Sequence, residues 1–514
     1  MEQRVGTGGF ELPQAYRHSR KGVLNGLAQG NIDLVDVSRW QLADEFIAFL
    51  LKSKFLEHAD RTYPNPRQNN LVPVWFLISS LLLLRTVGDK AYKNLDALLS
   101  AGPVLSRVGF NVISPIGFND RNKYPRKTPI HQDTARKFFK DTEPLAIRKW
   151  FYKDLQSWFK RQGMFDPEGV FIIDQTHVVV PDNANYKDAV RMPVDAHGQW
   201  YKNYSELTEE QKHALPHHPC YTLSTLLHLN LKDGTSHFVG YEWGAGNIDE
   251  LPQAQKLLDR FFEENEYGTI KLLIMDRGYV SGKFISFIKS AYHVDVLIPL
   301  KANMEQGLDA IAIAKMPETK WSVINPKGSI PSDPSRAIKA CFIEEVKLWD
   351  ACSVPLHTTV FEDTHFDTSD PGGWVVRHFV IVSTKKFDTP NNVIHSYSLR
   401  SKTEECFRQL KLAWNIGSFP STNKAIIEAH VAFTLLAFCL FQLFLAQKDF
   451  KPSLTRFISS LRREQHKLHY SLVVYSSGCF EIFGCKEFIA LLTSYPQEVQ
   501  QKINASLDAM PNQF

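Results

Sequence analysis

The spacing of apolar positions changes along the chain, and each change marks a different kind of element. Residues 1 to about 165 carry apolar residues at helical intervals. "SRWQLADEFIAFLLKSKFL" opens on Ser38 as a candidate cap, and "LVPVWFLISSLLLLRTVG" has a proline near its start and Gly88 after its end. "DTARKFFKDTEPLAIRKWFYKDLQSWFKRQG" supplies two more helical pieces rich in Lys and Arg with interleaved aromatics. Before it, "FNDRNKYPRKTPIHQD" reads as a basic loop. On the residues alone, a helical bundle with solvated faces and a DNA-binding module both fit this region.

At residue 169 the pattern shortens. "GVFIIDQTHVVVP" is a β-branched apolar run closed by Pro181, and it reads as a buried strand. "YTLSTLLHLNL", "HFVGYEW", "TIKLLIMDRGY" and "VDVLIPL" are further strands, with helices over "DELPQAQKLLDRFFEEN" and "SGKFISFIKSAYH". Strands first and alternation afterwards predict a mixed α/β sheet. From 304 to about 389, "KWSVINP", "RAIKACFIEEVKLWD", "PLHTTVFED" and "GGWVVRHFVIVST" read as a β-rich insertion. Two helices follow, 391 to about 414 and 422 to about 447, and then a mostly helical tail with the basic cluster "LRREQHK".

Composition narrows the classes. The hydrophobic share is 44% and the charged share 22%, ordinary for a globular chain with a large core, and the net charge of +4 makes any basic surface a local one. Seven scattered cysteines without a CxxC pair read as reduced thiols in a cytosolic protein. "VPVWFLISSLLLL" and "VAFTLLAFCLFQLFLAQ" are read as buried helices, the first too short for a span and the second interrupted by Gln442. His213, His217, His218 and Cys220 are zinc-type ligands at a spacing that fits no standard site, so a polar loop is expected there. His177, three residues past Asp174, points away from it on a regular strand and is taken as structural.

The chemistry concentrates in carboxylates and in one stripe. Asp174 lies in the middle of an apolar strand, where an ionised carboxylate is costly unless paired or metal-bound. Asp276 ends a second apolar strand. In "YSLRSKTEECFRQLK", Tyr397, Arg400, Glu404, Arg408 and Lys411 fall within roughly 80° of one another on a continuous helix. Taken singly, each acid has a bland explanation: a hydrogen-bonded strand Asp, an Asp ending a turn, a Glu in i,i+4 ion pairs. Taken together, they are three hard oxygen ligands from three elements, the donor set for Mg²⁺ or Mn²⁺, and two such ions drive phosphoryl transfer.

Tyr397, Arg400, Glu404 and Lys411, spaced Y-x2-R-x3-E-x6-K, resemble residue for residue the YREK signature of bacterial insertion-sequence transposases of the DDE class. "FIIDQTHV" is similar to the family's first-Asp strand, and "IMDRGYVSGKFISFIK" to its second-Asp region. The resemblance covers about 165 to 447. It implies an RNase H-like mixed sheet flanked by helices (166–303 and 391–447), interrupted by the β-rich insertion (304–390). A helical N-terminal DNA-binding domain (1–165) and a helical tail (448–514) complete the expected organisation. It also implies that Asp174, Asp276 and Glu404 hold two Mg²⁺ or Mn²⁺ ions, and that Tyr397, Arg400 and Lys411 contact phosphates, with Arg408 as an added contact. The expected activity is cut-and-paste DNA transposition, in which a homo-oligomer cleaves transposon terminal inverted repeats and transfers their 3′ ends into target DNA. The setting would be a bacterial cytoplasm, on the nucleoid when bound to DNA, with no membrane partner. Excision through a DNA hairpin would stack a flipped base on an aromatic, for which Trp321, Trp349, Trp374 and Trp414 are candidates although core packing suits each. The alternatives are a catalytically inactive DNA-binding descendant and an RNase H-like structure-selective nuclease.

Overall fold

The run "VFIIDQTHVV" forms strand β1 (Val170–Val179), its first four residues buried. Two strands pair to its one side as an antiparallel meander, β2 (His218–Leu229) on β1 and β3 (Ser236–Ala245) on β2. Helix α1 (Glu250–Glu264) follows, then β4 (Leu272–Met275), which runs parallel to β1 on its other side. Helix α2 (Gly282–Tyr292) leads to β5 (Asp295–Pro299), parallel to β4. The order β3-β2-β1-β4-β5 thus puts β1 in the centre, where near-continuous apolar character is required. The computed structural model describes residues 16–68, 72–101, 104–105, 129–201, 204, 207–324, 337–343, 349–366, 373–447 and 470–510. Most of the basic loop at 118–133 and all of "LRREQHK" at 461–467 lie outside the described residues.

The same sheet continues past β5. Strands β6 (Ala337–Ile343), β7 (His357–Phe366) and β8 (Trp374–Ser383) add to it antiparallel in the order β5-β8-β7-β6. The region read as β-rich also contains helix α3 (Glu305–Ala314). Its sequence, EQGLDAIAIA, alternates enough at its end to pass for a strand, yet Gly307, Ala310 and Ala314 are buried at i, i+3 and i+7 spacing.

The helix expected over 391–414 is two helices, α4 (Pro390–Ser398) and α5 (Ser401–Leu412). Leu399 and Arg400 form a turn between them, where bonds from Arg400 N to the Tyr397 carbonyl (3.0 Å) and from Thr403 N to the Arg400 carbonyl (2.9 Å) span three residues rather than four. Thr389 caps α4 by accepting from Asn392 N, and Pro390 starts it at a position where no N–H is needed.

These elements lie in one compact unit, Phe159–Gln409, apart from the last residues of α5, and the second unit combines Met1–Trp158 with Leu410–Phe514. The second is mainly helical: Gln41–Lys52, Phe55–Thr62, Val74–Thr86, Gln132–Asp141 and the 23-residue Lys424–Ala446 are its main helices. The last is longer than the apolar run suggested. By length and composition it could cross a membrane, but 89% of its apolar window is buried inside the fold. Glu428 on that helix receives a two-pronged ion pair from Arg148, at 2.6 and 2.7 Å.

Beyond the helices expected before 165 and in the mostly helical tail, this unit also contains strands: Leu34–Ser38, Ser471–Ser476, Cys479–Gly484 and the short Arg17–His18 form a four-stranded sheet. The tail strands are joined by Ser477 and Gly478 at φ of 50° and 73°, the two-residue hairpin turn that needs positive φ at both positions. Between two six-residue apolar runs, "SSG" is a turn signal that outweighs helical composition.

Candidate active site

Asp174 and Asp276 are brought together by strand register. The parallel pairing of β1 with β4 ends at Ile173 opposite Met275, so the next residue on each strand is an aspartate. Strand pairing fixes neighbours about 5 Å apart, which is why two acids distant in sequence meet at one sheet edge. Asp174 is buried, 9% exposed. Its Oδ1 accepts from Gln175 N (2.8 Å) and its Oδ2 from Arg400 Nη1 (3.2 Å). Asp276 caps the turn Arg277–Tyr279, accepting from Arg277 N at 2.7 Å, and its Oδ2 lies 3.8 Å from the same Arg400 nitrogen.

Arg400 is the hub. From the turn between α4 and α5 it also donates through Nη2 to Glu404, one helical turn further along. One guanidinium therefore touches three carboxylates from three elements. Burial works against its charge, but Asp276, Asp174, Tyr397 and Glu404 more than offset this and raise its pKa. Burial pushes Asp174 up to about 7; Arg400 and the Gln175 N–H oppose the rise, and Asp276 and Glu404 add to it. Tyr397 is pushed up to about 12, first by its burial, with Arg400 hydrogen-bonding its phenol and opposing the shift.

The rest of the stripe is arranged differently. Arg408 turns to Glu405, making two 2.8 Å bonds on the exposed face, and it does not join the acidic group. Lys411 lies on α5 seven residues beyond Glu404, the same side of the helix about two turns on. His177 is buried and bonds the Gly246 carbonyl at 3.0 Å. Of the four tryptophans, Trp414 is buried in the core, Trp321 stacks under Lys339, Trp349 is half-buried, and Trp374 is 57% exposed at the end of β8.

Two further residues reach the acids, and the sequence reading missed both. Tyr279 is fully buried, its hydroxyl has no hydrogen-bond partner among the described residues, and its electrostatic neighbours are Asp174, Glu250, Asp276 and Arg400. Glu250, the first residue of α1, lies so close to Gly278 that a Cβ there would overlap its carboxylate. Burial raises its pKa, and Asp276 adds to the rise while Lys301 opposes it. Tyr279 could have been found as the aromatic three residues after Asp276; nothing local marked Glu250, which reads as an ordinary helix-start acid.

As they stand, no three Asp, Glu, His or Cys side chains among the described residues are grouped closely enough to hold a metal ion. Instead the Arg400 guanidinium lies against all three carboxylates. It stands in for a cation, and a single positive charge leaves the group under-neutralised. The donor set suits a hard divalent ion, and Asp174 held near neutrality by burial is a carboxylate short of positive charge.

The family model of the transposase DDE domain matches residues 165–440, more than half of the 514-residue chain. The chain belongs to that family, and its matched region spans the sheet and the elements that carry Asp174, Asp276 and Glu404. No curated protein matches the chain.

Proposed function

We propose that this transposase-family chain is an active cut-and-paste enzyme, and that Asp174, Asp276 and Glu404 are its catalytic carboxylates. The observation that carries this reading is the convergence of those three side chains, from β1, β4 and α5, on one cation. The order β3-β2-β1-β4-β5, antiparallel on one side of β1 and parallel on the other, supports an RNase H-like sheet with β6–β8 as its insertion. Residues 1–165 are the proposed DNA-binding helices, and a homo-oligomer is proposed because two transposon ends must be paired.

Asp174, Asp276 and Glu404 would hold Mg²⁺ or Mn²⁺, two ions in all, which supply activation of the attacking oxygen and stabilisation of the leaving one. The residues do the rest. Arg400, displaced from the acids, gains a bidentate partner in a DNA phosphate, for which its planar fork is suited. Tyr397, with a phenol that stays protonated, donates to a phosphate oxygen and is not a nucleophile. Lys411 adds a point charge two turns along α5; Arg408 can join only by releasing Glu405. Water opens the phosphodiester at the terminal repeat to leave a 3′-OH, and that hydroxyl attacks a target phosphodiester, releasing one target 3′-hydroxyl for each bond formed.

The test is a labelled duplex carrying the flanking terminal repeat, incubated with supercoiled plasmid and Mg²⁺. Joined duplex–plasmid product is expected. Nicks at the repeat without joining would favour the nuclease, and binding without any nick the inactive descendant.

A further inference from the structure

Glu250 has no place in the three-carboxylate site, yet its contacts lead into it. It begins α1, and its carboxylate rests on Gly278, inside the turn that Asp276 caps. A side chain at position 278 would push this carboxylate aside, so the acid's present position depends on the glycine. The common reason for an acid in a first helical turn is the helix dipole, worth a few tenths of a kcal/mol to about 1 kcal/mol. That reason needs no contact with the next turn and does not favour facing Asp276, which repels it. Tyr279 gives a second, independent observation: a fully buried hydroxyl with no hydrogen-bond partner among the described residues sits among Asp174, Glu250 and Asp276. An unpartnered donor beside three acids marks a site whose arrangement is completed by something else.

We propose that Glu250 is a positioning residue of the carboxylate site: through Gly278 it holds the Asp276 turn, and its charge strengthens the site's affinity for a divalent cation. This rests on the proposed metal-dependent function and extends it to a residue outside the three acids. Lys301 is the nearby cation that offsets Glu250 in the free protein. Residues that orient a ligand from behind typically change metal affinity by about 10–100-fold when replaced.

The experiment is Mn²⁺ titration of the full chain by calorimetry, without DNA, paired with thermal unfolding in chelator. Wild type, Glu250→Gln, Glu250→Asp, Gly278→Ala and Asp174→Asn are compared. Glu250→Gln is expected to weaken Mn²⁺ binding by about tenfold, with an unfolding midpoint in chelator equal to or above that of wild type. Glu250→Asp, keeping the charge at shorter reach, falls between the two, and Gly278→Ala weakens binding in the same direction. Wild-type affinity in Glu250→Gln, alongside lost binding in Asp174→Asn, overturns this inference and leaves the function standing. A wild type that binds no Mn²⁺ overturns both.

Discussion

Arg400 decides how the acidic group behaves without metal. Among the described residues it is the one cation touching Asp174, Asp276 and Glu404, so replacing it leaves them facing one another. Arg400→Gln is therefore expected to be less stable in chelator and to gain more from Mn²⁺ than wild type, measured as the shift in thermal midpoint; an equal shift in both proteins contradicts the stand-in role. pH separates two buried groups. His228 accepts from Asp166 N and burial lowers it to about 4, so the unfolded chain binds the extra proton. Its contribution to stability is intact above pH 6.5 and is lost as pH falls toward 4. Asp174 is raised from 3.8 to about 7, so here the folded chain holds the extra proton and stability grows as pH falls through the same window. Asp174→Asn removes only the second slope. In chelator it should lose stability between pH 7.5 and 5 more steeply than wild type, read from urea midpoints. The meeting of Asp174, Asp276 and Glu404 was legible in the sequence because each is an acid in a context that makes it costly or patterned. Glu250 and Tyr279 were not, because their part depends on approach across the fold rather than on spacing.

At the scale of elements, the strands around β1 were readable because buried central strands need unbroken apolar runs. The stripe was readable too, but for a reason only partly right. Tyr397 and Arg400 belong to the end of α4 and the turn after it, while Glu404 belongs to α5. The turn drops Arg400 between the acids. Arg408, still at the expected angle, is instead drawn to Glu405, three residues before it. A cap holds this arrangement. Thr389→Ala removes the hydroxyl that accepts from Asn392 N and should cost about 1 kcal/mol, seen in chemical denaturation. The tail hairpin went unread because basic, polar flanks outweighed two short runs. Its turn tests directly: Gly478→Val, placing a β-branched residue at φ 73°, should lower stability by about 1–3 kcal/mol.

At the scale of the whole molecule, one unit is built from both ends of the chain. Arg17–His18 pairs with Cys479–Phe480, and Val23 and Leu27 pack with Val474, Phe483, Phe488 and Ile503. No local pattern announces such a pairing, which is why domain organisation was the least legible part. The Arg148–Glu428 pair joins the two ends of the chain within that unit, with Glu428 almost wholly buried. Removing the arginine strands a buried carboxylate. Arg148→Met is expected to cost about 3–5 kcal/mol in urea unfolding, and a cost under about 1 kcal/mol would mean that the pair is solvated.

The measurement that bears most directly on the central claim is cleavage of the terminal-repeat duplex by wild type and by Glu404→Gln, each with Mg²⁺, Mn²⁺ and chelator, with DNA binding followed in parallel. The expected result is a nick at the repeat's end by wild type only when metal is present, and binding without cutting by Glu404→Gln. Equal cutting by both proteins, or binding by both with no cutting under any metal, would contradict the assignment of Asp174, Asp276 and Glu404 as the catalytic group.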